Sequence, residues 1–202
     1  MAVAYPTAAR QLLRDTLLDG MRELMADREW GQISMAEVAR AAGVSRQTLY
    51  KEFGSREEFA QAFVLREADR FLGEVETAVM ANRKNPATAL TAALTVFLRA
   101  ATDDPFVRTI TSGVGADELL PLLTVQGQPL FVHATERLTA VLLEGWPGVR
   151  ERDARQLADV AVRLGVSYAT APSGPAERTA AAAGRVLEPF VRQALAGRAA
   201  AG

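Results

Sequence analysis

The chain of 202 residues has no cysteine and a single histidine. The first absence excludes disulfides, thiolate nucleophiles, thiolate metal sites and iron–sulfur clusters together. The second excludes His-rich metal centres and makes any Ser–His–Asp triad depend on His133 alone. No apolar run approaches the ~20 residues of a membrane span, so no membrane partner is expected. Nor is there an excess of charge of either sign. Lys and Arg number 23 against 24 Asp and Glu, so a nucleic-acid surface would have to be a local patch. Arg10, Arg14, Asp15 and Asp19 interrupt the first twenty residues at helical spacing, unlike a secretory signal. The expected setting is the reducing cytoplasm.

Helical periodicity dominates, and period-two alternation is almost missing. Half of the residues are apolar, with Ala and Leu abundant, which predicts an all-α fold. A first helix is expected from Ala8 to Arg28, capped by Thr7, with Leu13, Leu17, Met21 and Leu24 along one stripe and Gly31 as its break. Ser34 and Glu37 form the S-x-x-E capping box of a short second helix, whose apolar face is Met35, Val38, Ala39 and Ala42. Gly43 permits a left-handed helix end. One residue later Ser45 caps a third helix reaching Phe53, and Gly54 ends it. Ser55 and Glu58 repeat the capping box and open a long fourth helix to about Asn82. Further helices are expected from Pro86 to about Ala101, after the break at Asp103-Asp104-Pro105, and over 130–144, 153–170 and 175–196. Residues 112–129 read as irregular with at most short helices. Residues 1–54 thus form one domain, with the first turns of the linking helix (55–70) packed on it, and residues 55–202 form a second, larger helical domain.

Two short helices joined by the tight Gly43-Val44-Ser45 turn make a helix-turn-helix, in which the second helix enters the DNA major groove. At ~100° per residue, Leu49 and Phe53 point inward. Gln47, Thr48 and Lys51 point away, with Tyr50 at the flank. Arg, Gln and Thr are side chains that read base edges. Tyr and Lys more often hold phosphates, and the helix N-termini at Ser34 and Ser45 offer amides to phosphate oxygens. From Arg40 to Arg56 the basic residues are Arg40, Arg46, Lys51 and Arg56, and Glu52 is the only acid. So few charges bind weakly in one copy, which makes a dimer close to a requirement. Residues 1–70 as a whole carry 10 basic and 11 acidic groups.

These residues resemble the TetR family of bacterial transcriptional repressors. The resemblance covers roughly Arg10–Phe63. It is carried by Ile33-Ser34-Met35-Ala36-Glu37-Val38-Ala39, by Gly43-Val44-Ser45, and by Thr48-Leu49-Tyr50-Lys51-Glu52-Phe53 followed by Ser55-Arg56-Glu57-Glu58. It implies a DNA-binding domain ahead of a helical ligand-binding and dimerisation domain, with no enzymatic activity. It further implies a homodimer built on the last two long helices, a palindromic double-stranded operator and a small-molecule inducer. By position, Ser34, Ser45, Tyr50 and Lys51 match the family's phosphate contacts, and Arg46, Gln47 and Thr48 its base-reading sites. The arm Met1–Tyr5 has no Arg or Lys, a departure from arms that read the minor groove.

In the second domain the candidate pocket residues are Phe97, Phe106, Phe131, His133, Trp146 and Tyr168, and residues 102–129 suit a pocket mouth. With no cluster of buried cations in view, the expected ligand is small and largely apolar. No cofactor, metal or catalytic residue is expected. Gly113-Val114-Gly115 has no preceding strand, and Glu118 stands where a third glycine would be needed. Asp103, Asp104, Asp117 and Glu118 match no calcium loop. Ala158, Ala161, Gly165, Ala169, Ala180, Ala183 and Gly184 line the last two helices. Small residues suit either a two-fold four-helix interface or close packing within one chain. The competing reading of the whole is a small all-α ligand carrier or enzyme using the second domain alone.

Overall fold

The computed structural model describes residues 5–112 and 118–196, and the side chains of residues 8–111 and 118–195. The described residues form ten α-helices, one 3-10 helix and no strand. The helices are α1 (Tyr5–Leu24), α2 (Met35–Ala41), α3 (Arg46–Phe53), α4 (Arg56–Ala81), α5 (Pro86–Asp103), α6 (Pro105–Ser112), α7 (Leu120–Leu123), α8 (Gln128–Gly145), α9 (Glu151–Thr170) and α10 (Ala176–Ala196). No described helix is long and apolar enough to cross a membrane.

Local chemistry sets most of these boundaries. Both predicted capping boxes form, Ser34 with Glu37 and Ser55 with Glu58. Gly43 and Gly54 take φ of 69° and 78°, the left-handed conformation that ends α2 and α3. Asp104 caps α6, its Oδ1 accepting from the Phe106 and Val107 amides at 2.9 and 3.1 Å. The first helix differs from expectation. It begins at Tyr5, so Thr7 lies inside its first turn, and it ends at Leu24. A 3-10 turn, Trp30–Gln32, then carries the chain on, because Trp30 turns inward as a fully buried side chain.

Trp30 sits in the first of two cores. Leu17, Met21, Val38, Leu49, Phe53, Phe59 and Phe63 surround it, and Phe106, Ile110, Leu119 and Leu123 of the α6–α7 segment complete the same cluster. Its ring lies 5.7 Å from Phe63, which meets Phe106 edge-on at 5.1 Å. The Trp30 indole N–H donates to Glu118 at 2.8 Å, and Arg56 pairs with the same carboxylate at 2.7 Å. Burial raises the Glu118 carboxyl, but these two donors outweigh it and hold it below its ordinary range. The second core joins α4, α5, α8, α9 and α10 through Phe71, Val79, Leu94, Leu138, Leu142, Leu157 and Val191.

The small residues of the last two helices resolve toward packing within the chain. Ala158, Ala161, Ala169, Ala180 and Ala183 are buried in one protomer. Gly184 lies against Thr91 and Gly165 against Phe97, both on α5. Close approach to α5 uses these faces, so they are not the surface left for a second copy.

Candidate functional site

The third helix shows its predicted sides. Leu49 and Phe53 are buried, while Ser45, Arg46, Gln47 and Lys51 are exposed and Thr48 and Tyr50 half-buried. Ser34, at the start of α2, is exposed as well. The two serine hydroxyls are engaged locally. Ser34 Oγ donates to Glu37 Oε2 at 2.7 Å, and Ser45 Oγ accepts the Thr48 amide at 3.1 Å and lies 2.9 Å from Thr48 Oγ1. The Arg46 guanidinium stands 5.2 Å over the Tyr50 ring, a cation–π contact that gathers both at the start of the helix.

Ion pairing redraws the local charge. Glu52 pairs with Arg10 at 2.7 Å, and the Glu52 carbonyl accepts from Arg14 Nη1 at 2.7 Å. Arg14 also lies 4.2 Å over the Phe53 ring, so α1 closes the carboxyl end of α3. Arg56 is withdrawn from the DNA side by Glu118 and by the carbonyls of Ile33 and Trp30. Arg40, Arg46 and Lys51 remain exposed, without an ion-pair partner among the described residues. Sequence spacing counts the charge of Arg40 but assigns it no contact. Its exposure in the last turn of α2, on the same unit as α3, is a tertiary fact. Met1–Ala4 of the arm, Gly113-Val114-Gly115 and Asp117 lie outside the described residues. Among the described residues no cluster of His, Asp and Glu could hold a metal.

The second domain encloses a cavity of about 140 Å³. On that scale one water needs about 10–15 Å³, so the space suits a ligand. One row of α4 forms a wall, through Val64, Phe71, Leu72, Val75 and Val79. The facing row of α8 is Leu130, Ala134, Leu138 and Leu142, each one turn from the next. The α4 row spans fifteen residues, about 22 Å of helix, so the cavity is a long slot. Phe97, Phe106 and Trp146 line it as expected.

Phe131, His133 and Tyr168 do not line the slot. Phe131 and His133 flank the inward row of α8 rather than belonging to it. Phe131 lies under Arg163 at 5.0 Å, and His133 Nε2 is 2.8 Å from Asp69 Oδ1. Tyr168 is half-buried and packs against the second core, one residue off the inward row of Gly165 and Ala169. The lining is mainly aliphatic, which a search for aromatic residues misses. It also misses Glu67, an acid set in the apolar row of α4. An ionisable residue at the i+3 position after Val64 is the sequence signal that could have found it.

Comparison with known proteins agrees with this architecture. Residues 17–63 match the family described as bacterial regulatory proteins, tetR family, and residues 85–189 match the bacterial tetracyclin repressor C-terminal domain. The chain is 38% identical over 191 residues to the HTH-type transcriptional regulator AlkX of Mycobacterium tuberculosis, covering 95% of this chain and 90% of that one. A crystal structure of the TetR family repressor AlkX from a Dietzia species, implicated in biodegradation of n-alkanes, superposes with a TM-score of 0.80 at 33% identity, covering 90% of this chain and 96% of that one. The resorcinol complex of RolR shares the fold, with a TM-score of 0.59 at 22% identity over 89% of each chain. These relatives are transcriptional regulators and not enzymes. A capped helix-turn-helix and an enclosed helical domain, matched along nearly the whole chain, place the protein in the TetR family of DNA-binding transcriptional regulators.

Proposed function

We propose that this regulator binds a palindromic operator as a homodimer and leaves it when a linear, largely apolar molecule fills the slot. The exposed face of α3 carries the DNA reading: Leu49 and Phe53 hold the helix down while Arg46, Gln47 and Lys51 remain exposed. In this reading Arg46, Gln47 and Thr48 read base edges. Ser34, Ser45, Tyr50, Lys51 and Arg40 hold the backbone, the serines through the helix starts they cap. Two α3 helices must meet half-sites about one helical turn apart. The second copy would dock on the outer faces of α9 and α10, where Val160 and Val186 are exposed and Leu164 is half-buried.

Release follows from the course of α4. The helix starts beside α3 and then lines the slot from Val64 to Val79. A ligand that prefers a different placement of α4 shifts the α3 spacing by its differential affinity for the two states. The slot's length and aliphatic walls support a chain-like ligand. The Dietzia relative's link to n-alkane degradation supports hydrocarbon-utilisation genes as the target. Gel-shift titration with the DNA upstream of the protein's own gene tests the reading. The parent protein should shift that fragment, and replacing Tyr50 and Lys51 with alanine should weaken binding and lower its salt slope by about 1. Undiminished binding by the double variant would place the reading face elsewhere.

A further inference from the structure

Glu67 is the one ionised side chain on the slot wall, and it is only 4% exposed. Its Oε2 accepts from Arg22 Nη1 and from Arg70 Nε, the latter at 3.2 Å. Asp104 Oδ2 accepts from Arg22 Nη2 at 3.2 Å and from Arg70 Nη2 at 2.8 Å. Two guanidinium groups thus balance two carboxylates where α1, α4 and the start of α6 meet. Burial raises the Asp104 carboxyl, but the Val107 amide and the two arginines outweigh it and keep the group ionised. Glu67 Oε1 has no hydrogen-bond partner among the described residues. The other polar side chain on the wall, Thr111, already donates its hydroxyl to the Val107 carbonyl at 2.7 Å.

A buried acceptor without a partner is satisfied by a ligand that brings a donor. The balanced network decides the charge of that donor. A carboxylate or an ammonium would enter an apolar slot with no counter-charge left over, and an unpaired buried charge is strongly disfavoured. A neutral hydroxyl brings the hydrogen bond without that penalty. Glu67 also lies near one end of the slot. From it the α4 row continues twelve residues to Val79, about 18 Å, toward Trp146. We propose that the ligand is an unbranched primary alcohol, its hydroxyl donated to Glu67 Oε1 and its chain laid along α4 toward Trp146. This rests on the ligand reading above and adds the head group to it. The same carboxylate holds Arg22 of α1, so the head group acts on the tie between the slot and the DNA-binding unit.

Four probes of equal chain length decide the matter: dodecane, 1-dodecanol, dodecanoic acid and 1-dodecylamine. Each is titrated into the full-length protein by calorimetry and into its DNA complex by gel shift. The alcohol should bind at least about tenfold tighter than the alkane, as expected for a hydrogen bond to a charged acceptor. The acid and the amine should bind more weakly than the alcohol. Glu67→Leu should abolish the preference of alcohol over alkane while keeping dodecane binding, which also reports an intact slot. If that variant does not fold, Glu67→Gln, which keeps the shape and removes the charge, should narrow the preference severalfold. Equal binding of alcohol and alkane, tighter binding of the acid or amine, or an unchanged preference in the variants would overturn the inference. Such results would leave a dodecane-responsive regulator standing. Absence of binding by all four probes would overturn the chain-like ligand as well.

Discussion

Glu37 shows how much a single side chain of the DNA-reading unit is asked to do. Its carboxylate accepts from Arg28 Nη1 at 2.7 Å and from the Ser34 amide at 2.9 Å, while its own amide donates to Ser34 Oγ at 3.3 Å. The Arg28 hydrogen bond first, and then the two Ser34 bonds, hold its pKa at about 2 against an ordinary 4.5. The folded state therefore binds this proton less readily than the unfolded chain. The stabilisation is complete above about pH 4.5 and fades as the pH falls toward about 2. Glu37→Gln should accordingly lower the melting temperature at neutral pH, with the gap closing through that window, as circular dichroism melts at stepped pH would show. A gap that persists unchanged to pH 2 would mean that Arg28 does not select the ionised form. The capping role of Glu37 is legible in the sequence because Ser34 is three residues away. The Arg28 partner is not, because nothing in the spacing fixes where the chain between α1 and α2 turns.

At the scale of elements, α10 owes its position to what it lacks. Gly184 has no Cβ, and one built there would collide with Thr91 Oγ1 on α5. Gly184→Val should therefore force α10 off α5 and destabilise the fold by about 1–3 kcal/mol, read as a lower denaturation midpoint in urea. An unchanged midpoint would show that Thr91 yields freely. The row Ala158, Ala161, Gly165, Ala169 announces close packing from sequence alone, but not with which helix. Periodicity gives a face and no partner, and here the partner is mostly α5 of the same chain. The same limit explains the pocket. Inward rows of α4 and α8 are visible as i, i+4 repeats, yet Phe131 and His133 are one residue off the row and turn to Arg163 and Asp69 instead.

For the whole molecule, the two cores explain how a slot and a DNA face can communicate. Trp30, Phe63 and Phe106 form one aromatic chain from the helix-turn-helix to the slot wall, and Glu118 pins the α6–α7 segment to Trp30 and Arg56. A dimer is needed to turn that internal link into a change of half-site spacing. Val186 on α10 is 76% exposed, an apolar side chain that a monomer has no reason to present. Val186→Arg should convert the protein to a monomer in sedimentation and lower operator affinity roughly 10²-fold through lost avidity, with the helix content unchanged. A variant that stays dimeric would move the interface off this part of α10.

Short-range features could be read from the order of residues: helix starts on Ser34, Ser45 and Ser55, their glycine stops, the all-α class and the polar side of α3. Each depends on partners within four residues, where the chain's own geometry leaves little choice. Pairings across tens of residues waited on the tertiary structure: Glu52 with Arg10, Arg56 with Glu118, Glu67 with Arg22, and the aliphatic slot with its single acid. Those follow from how whole helices pack, and packing satisfies many side chains at once, so no local pattern could have singled them out.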